Sequence, residues 1–177
     1  MIETARLVLR PWREADRAAF AAIVADPEVA GWLGGARVQD PAYFDSMLTF
    51  LDAYGRGPLA VVERVSGVPI GRVNLRRLPE DWNHPMVGET EIGWTLARTA
   101  WGHGYATEAA RAMLAHGFAD PRLAAIHSWT SETNLRSQGV MRRLGMVRAP
   151  ERDFDHPDVA LDDPLRRSVV YAIARPT

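Results

Sequence analysis

Two glycines flank a single histidine in "WGHGYATEAARAML" (101 to 114), and an alanine-rich run follows at once. Glycine at the start of a helix leaves bare backbone N–H groups where the helix dipole is positive, and that combination binds anions, phosphate above all. The dinucleotide fingerprint would require a third glycine at position 107, where Thr107 stands. A Walker-type phosphate loop would require a lysine, and all 21 basic residues of the chain are arginine. Both familiar nucleotide motifs are therefore excluded. A bland alternative stands beside the anion site: Gly102 and Gly104 merely permit a tight turn, and Thr107 caps the helix.

Composition removes further chemistry. The chain has 177 residues and no cysteine, so thiolate nucleophiles, thiolate metal sites, iron–sulfur clusters and disulfides are excluded. Without lysine there is no Schiff base. A net charge of −1 argues against a nucleic-acid partner bound by neutralising many phosphates. No apolar run approaches the ~20 residues of a membrane span, and Glu3 with two early arginines stands where a signal peptide would be apolar. The expectation is a cytoplasmic protein with one domain over residues 1–177, and no membrane, nucleic-acid or metal partner.

The elements that must position the glycines follow from periodicity. "RLVLR" (6 to 10) alternates as a strand, and Phe20, Ile23 and Val24 share a helical face that ends at Asp26-Pro27. Asp40 and Pro41 open a second helix carrying Phe44, Met47, Leu48 and Leu51. "PLAVVERVSGVPIGRVNLRRL" reads as a hairpin turning at Ser66-Gly67, and "GETEIGWTLA" (88 to 97) as a third strand of this group, with Glu91 opposite Ile92 and Trp94. Ala106, Ala109, Ala110, Met113 and Leu114 then give the glycine-led helix one apolar stripe. A strand over "AAIHSWTS", a short helix over "NLRSQGVMRRLG" and a strand over 165 to 174 complete a mixed α/β or α+β sheet covered by helices.

These segments, in this order, resemble the GNAT N-acetyltransferases. "ETARLVLRPWREADRAAFAAIVADPEVAGWL" is similar to the opening of the ribosomal-protein-type (RimJ/RimL-like) branch, "EIGWTL" to its central strand, "AWGHGYATEAARAML" to its coenzyme A loop and helix, and "NLRSQGVMRRLGM" to its N-x-x-S element. Trp101, Gly104 and Ala106 fall on the three fixed positions of the family's Q/R-x-x-G-x-G/A loop, with tryptophan in place of Gln or Arg. The resemblance implies a mostly antiparallel central sheet with splayed middle strands and helices on both faces, and acetyl-coenzyme A as co-substrate. The backbone of Trp101, Gly102, His103, Gly104, Tyr105, Ala106 and Thr107 would wrap the pyrophosphate. That of Gly93, Trp94, Thr95 and Leu96 would pair with the pantetheine arm, with Asn134 and Ser137 beside the thiol end.

Many relatives carry a tyrosine seven residues beyond the asparagine as proton donor to the leaving thiolate; here Met141 stands there and donates nothing. The resemblance puts Ser137 in that role, although Asn134 and Ser137 also suit a plain helix start. For the base, Glu91 stands against His127 on the next strand, with Glu89 third; a solvated glutamate and a structural histidine are the bland alternatives. The acceptor amine, a protein N-terminus or a small molecule, is expected near Val29, Trp32, Leu33 and His127. The acidic loop 151 to 167 would form either an attracting rim or a solvated surface. A homodimer is the assembly common in the branch. A coenzyme A-binding domain without turnover is the competing reading, motivated by Met141 and by the absence of an unambiguous base.

Overall fold

The computed structural model describes residues 1–33, 40–51 and 56–176. Among these, β1 (Ile2–Glu3), β2 (Leu7–Pro11), β3 (Pro58–Glu63), β4 (Pro69–Arg77), β5 (Thr90–Leu96), β6 (Ala125–Ser131), β7 (Val147–Arg148), β8 (Phe154–Asp155) and β9 (Arg167–Ala174) form one sheet. Its order is β1-β2-β3-β4-β5-β6-β9-β7, with β8 also on β9. Every neighbouring pair is antiparallel except β5 and β6, which run parallel. The mixed, mostly antiparallel sheet expected from the sequence is the one observed.

The helices are α1 (Arg17–Ala25), α2 (Pro27–Ala30), α3 (Pro41–Thr49), α4 (Tyr105–Phe118) and α5 (Leu135–Arg143). Apolar residues on both sides of β3 explain why helices cover both faces. Leu59 and Val61 join Val73, Leu75, Ile92, Ala109, Ala110 and Met113 in the core beneath α4 and α5. Ala60 and Val62 join Trp12, Phe20, Val24, Phe44 and Met47 beneath α1 and α3. β4 differs in a way that matters for the site. Its Val73 and Leu75 enter the α4 core, whereas Arg72, Asn74 and Arg76 face the other side, in register with Thr95, Gly93 and Glu91 of β5.

Three local expectations are corrected. Asp26-Pro27 ends α1 but also starts α2, because the Asp26 carboxylate accepts from the Glu28 N–H at 2.9 Å and proline suits the first helical position. The helix opened by Asp40 stops at Thr49, so Leu51 lies outside it and is exposed. The short strands β1, β7 and β8 were not expected, since strands of two residues carry no readable periodicity.

Candidate active site

The parallel pair β5 and β6 is in register only at Glu91 and His127 among the described residues. Beyond that point the strands part, and Gly93, Trp94, Thr95 and Leu96 of β5 face Ser128, Trp129 and Thr130 of β6 across an open cleft. The cleft continues past Gly102, Gly104, Tyr105, Ala106 and Thr107 at one end and reaches Glu91, Asn74 and Arg76 at the other. At about 1040 Å³ it reaches the upper end of the range for one small-molecule ligand. A polar-backboned channel therefore joins an anion-binding loop to a buried carboxylate.

Gly104 is the N-cap of α4, at φ 79°, and no side chain caps the helix. The alternative in which Thr107 caps it is not realised, because Thr107 lies inside the first turn and its Oγ1 accepts from Arg143 Nε at 3.3 Å. Gly102, at φ 80°, is also left-handed. The N–H groups of the first turn lie at the cleft with no acceptor among the described residues, which is the arrangement a phosphate needs. Arg6 holds the loop from behind: its Nη1 donates to the His103 carbonyl at 2.9 Å while Nε donates to Glu108 at 2.7 Å. Glu108 accepts also from the Thr4 hydroxyl and the Arg6 N–H. Burial raises the Glu108 pKa, but these hydrogen bonds outweigh it and hold the carboxylate below its ordinary range.

Several expected contributors act through backbone or packing. The Trp101 indole donates to the Leu96 carbonyl at 2.9 Å and supports Arg136, whose guanidinium lies 4.7 Å above its ring. Tyr105 turns its hydroxyl to Glu63 at 2.7 Å. Trp94 packs on the α4 core and also lines the cleft. Asn134 is the N-cap of α5, accepting from the Ser137 N–H at 3.1 Å, and both residues line the cleft. Met141 is fully buried in the α4 core and takes no part in the cleft. His103 is exposed and is not among the lining residues: its carbonyl accepts from Arg6 and its ring stacks on Tyr105.

The candidate bases separate clearly. Glu91 lines the cleft with 13% of its side chain exposed. Its Oε1 accepts from Asn74 Nδ2 at 3.3 Å and lies 3.5 Å from Arg76 Nη2. Its Oε2 and Asn74 Oδ1 are both buried with no hydrogen-bond partner among the described residues. Burial raises the Glu91 pKa, against the pull of the Arg76 and Arg72 charges and the Asn74 hydrogen bond. A carboxyl moved toward neutrality is suited to taking a proton from an ammonium.

His127, 4% exposed, lies outside the lining residues. Its Nε2 is 2.9 Å from Arg152 Nη1, and since guanidinium only donates, Nε2 is the accepting nitrogen. Its Nδ1 lies 3.4 Å from Glu89, which is also bonded to Arg152. Burial lowers the His127 pKa in spite of Glu89. The structure thus gathers Glu91, Ser137, Asn134, Trp32 and Leu33 onto one cleft and ties His127 and Glu89 into a separate knot. The acidic loop lies outside the cleft as well: Asp153 pairs with Arg148, Asp155 with Arg166 and Arg167, and none of residues 151 to 167 lines it.

Sequence reasoning missed Arg72, Asn74, Arg76 and Tyr43, all on the cleft wall. The signal was present in "RVNLRR" (72 to 77), where polar residues at every second position interrupt an otherwise apolar hairpin.

Comparison with known proteins identifies the family. The family model described as an acetyltransferase (GNAT) domain matches residues 6–147. The FsC-acetyl coenzyme A-N(2)-transacetylase of Aspergillus fumigatus is 26% identical over 185 residues, covering 98% of this chain and 76% of that protein. A crystal structure of an acetyltransferase from Agrobacterium tumefaciens superposes with a TM-score of 0.73 at 29% identity, covering 97% of this chain and 92% of the other. Mycobacterium smegmatis RimJ in complex with CoA-disulfide shares the fold, with a TM-score of 0.70 at 22% identity over 95% of this chain and 81% of its own.

Proposed function

The chain belongs to the GNAT acetyltransferase family, and from that premise we propose that it moves the acetyl group of acetyl-coenzyme A to a primary amine by direct attack in a ternary complex. One observation carries the reading: a single cleft runs from the uncapped, glycine-led start of α4, along the strand edge freed by the parting of β5 and β6, to the buried Glu91. The chain's residues fit that co-substrate. The N–H groups from Gly102 to Thr107 would hold the pyrophosphate, the free edge of β5 from Gly93 to Leu96 would pair with the pantetheine amides, and Arg136 and Arg143 add positive charge on the same wall. The relative RimJ was solved with a coenzyme A derivative in the same fold. The opening segment and the Trp101 loop support a RimJ/RimL-like assignment within the family.

Bound acetyl-coenzyme A supplies an acyl carbon activated as a thioester. Glu91 takes a proton from the incoming ammonium, directly or through water, so that the neutral nitrogen can attack. Asn74 and Arg76 fix the carboxylate on one oxygen and leave Oε2 free for that proton. As the new C–N bond forms and the C–S bond breaks, the Ser137 hydroxyl on the first turn of α5 donates a proton to the thiolate and is reprotonated by the second proton that the acylated nitrogen sheds on becoming an amide. The absence of cysteine fits direct transfer, with no acyl-enzyme on sulfur.

The competing reading, a coenzyme A-binding domain without turnover, was motivated by Met141. That residue lies in the core and donates no proton, so turnover rests on Ser137 and Glu91, both of which line the cleft. Free-thiol release from acetyl-coenzyme A over a panel of peptides, polyamines and amino acids tests the proposal. Release that depends on an amine supports it, and calorimetric binding of acetyl-coenzyme A without release on any acceptor refutes it.

A further inference from the structure

The acceptor end of the cleft is positively charged. The charged residues lining the whole cleft, among the described ones, are Arg72, Arg76, Arg136, Arg143 and the lone carboxylate Glu91. The acidic loop that would have drawn a polycation lies elsewhere, with Asp153 and Asp155 occupied by arginines. A site built for a polyamine or another multiply charged cation would present the opposite sign.

Arg72 gives this charge a direction. It sits on β4 where α3 packs over the sheet, and its guanidinium donates to the Tyr43 hydroxyl through Nη1 and to Thr95 Oγ1 through Nε at 3.3 Å. Its centre lies 5.4 Å from the Tyr43 ring. Every one of these partners is neutral, and Nη2 bonds to nothing among the described residues. Most other half-buried or buried arginines of the fold face carboxylates, as Arg10 meets Asp16, Arg148 meets Asp153 and Arg152 meets Glu89, while Arg175 donates to the Phe118 and Asp120 carbonyls. A guanidinium pinned by two hydroxyls on a cleft wall, with donors to spare, is prepared for a planar anion from outside the chain.

Two positions further along the same strand, about 7 Å at the usual rise per residue, stands Asn74, and its Oδ1 and the Oε2 of the adjacent Glu91 on β5 have the complementary deficiency. Both are buried acceptors without donors, and a primary amine carries the N–H groups they lack. The wall between α2 and α3 is apolar, with Trp32, Leu33, Met47 and Phe50 beside Tyr43.

Resting on the N-acetyltransferase reading above, we propose that the acceptor is a free amino acid with an apolar or aromatic side chain, taken by its amine at Glu91 and Asn74 and by its carboxylate at Arg72. Arg72 is the specificity-determining residue. A peptide N-terminus, which lacks the adjacent carboxylate, leaves Arg72 without its partner and is a poorer acceptor.

The test compares phenylalanine, tryptophan and methionine with their amides and with the corresponding decarboxylated amines, by initial rates of thiol release. Amidation lowers the pKa of the amine, so intrinsic reactivity at neutral pH favours the amides, and a preference for the free acids arises from recognition. The acids are expected to exceed both neutralised series in kcat/KM by roughly 10- to 100-fold, the scale of one charge-assisted hydrogen-bonded pair. Arg72→Gln should remove that preference, mainly through KM, and Arg72→Lys should restore part of it by returning the charge without the fork. Acetyl-coenzyme A affinity, measured by calorimetry on each variant, should stay within about 2-fold of wild type, since Arg72 serves the acceptor.

Amides or decarboxylated amines turned over as well as the acids would overturn the inference. So would a wild-type enzyme that acetylates peptides or polyamines and none of the three acids, or an Arg72→Gln variant that keeps the preference or loses acetyl-coenzyme A affinity. If the wild type binds no acetyl-coenzyme A, or releases no thiol with any amine, the N-acetyltransferase reading itself falls, and that result is distinct from a failure of carboxylate selection alone.

Discussion

Replacing Gly104 by alanine separates the cost of a backbone conformation from the loss of a ligand contact. Gly104 sits at φ 79°, and among the described residues a Cβ there would meet only Arg6 Nη2, at 3.6 Å, an ordinary contact with the end of a flexible side chain. The folded protein thus suffers no clash, and the stability cost is that of holding alanine in the left-handed region, about 1–2 kcal/mol. For a chain of this length that lowers Tm by about 2–8 °C. The methyl group would project toward Arg6, behind the loop, so any loss of ligand follows from the backbone adjusting around the strained residue and turning its N–H groups from the phosphate. Losing one hydrogen bond to a charged group corresponds to about 1.5–3 kcal/mol, or roughly a 10- to 100-fold rise in the Kd for acetyl-coenzyme A. Gly67→Ala is the matched control. It lies in the β3–β4 turn at φ 69° with nothing within 4 Å, so it should show a similar fall in Tm and no change in Kd. Calorimetry and thermal melts on the two variants decide the matter: unchanged affinity in a folded Gly104→Ala protein, or an equal loss in Gly67→Ala, refutes the pyrophosphate assignment.

Glu91→Gln should lower kcat/KM by ~10²-fold or more at neutral pH and recover as rising pH deprotonates the amine unaided, whereas His127→Asn stays near wild type. The reverse pattern would move the base to His127. The same Glu91 variant should be more stable than wild type at pH 8 and not at pH 4. Burial raises the native pKa, so the native state holds the proton more tightly than the unfolded chain, and ionisation of Glu91 costs stability as pH rises; urea midpoints at the two pH values measure this. Ser137→Ala should reduce kcat by ~10²-fold with acetyl-coenzyme A affinity kept, because the Asn134 cap bonds the Ser137 backbone N–H, which alanine retains. Near-normal kcat would leave Ser137 a helix-start residue only. His84 is buried against Trp82, Trp129 and Phe154 with its pKa lowered to about 4, chiefly by desolvation. The unfolded chain therefore binds the extra proton first, and stability falls as pH drops from about 6.5 toward 4. His84→Phe, which keeps the ring packing and cannot titrate, should flatten that part of the urea-midpoint profile.

Much of this molecule is legible in its residue order. Helix α4, strands β2 to β6 and the hairpin at Ser66-Gly67 follow from periodicity and turn chemistry, because each depends on neighbours close in the chain. The glycine loop was legible for the same reason: positive φ at Gly102 and Gly104 is a local requirement that only glycine meets without strain. The lack of lysine and cysteine removed whole reaction classes before any fold was known. What the chain order could not supply was partnership across space. Glu91 and His127 are equivalent as residue types on adjacent strands and even share a register position. Only the tertiary structure ties His127 to Arg152 and Glu89 and leaves Glu91 facing the cleft beside Asn74 and Arg76. The acidic loop reads as a rim in sequence, but its Asp153 and Asp155 are claimed by arginines on β7 and β9 and on the loop itself, and none of its residues lines the cleft. The charge of the cleft wall was likewise undecided until α3, β4 and β5 brought Tyr43, Arg72 and Thr95 together. A local rule acts through covalent neighbours and survives in the sequence; desolvation and charge pairing act between groups far apart in the chain, and only the folded arrangement determines them.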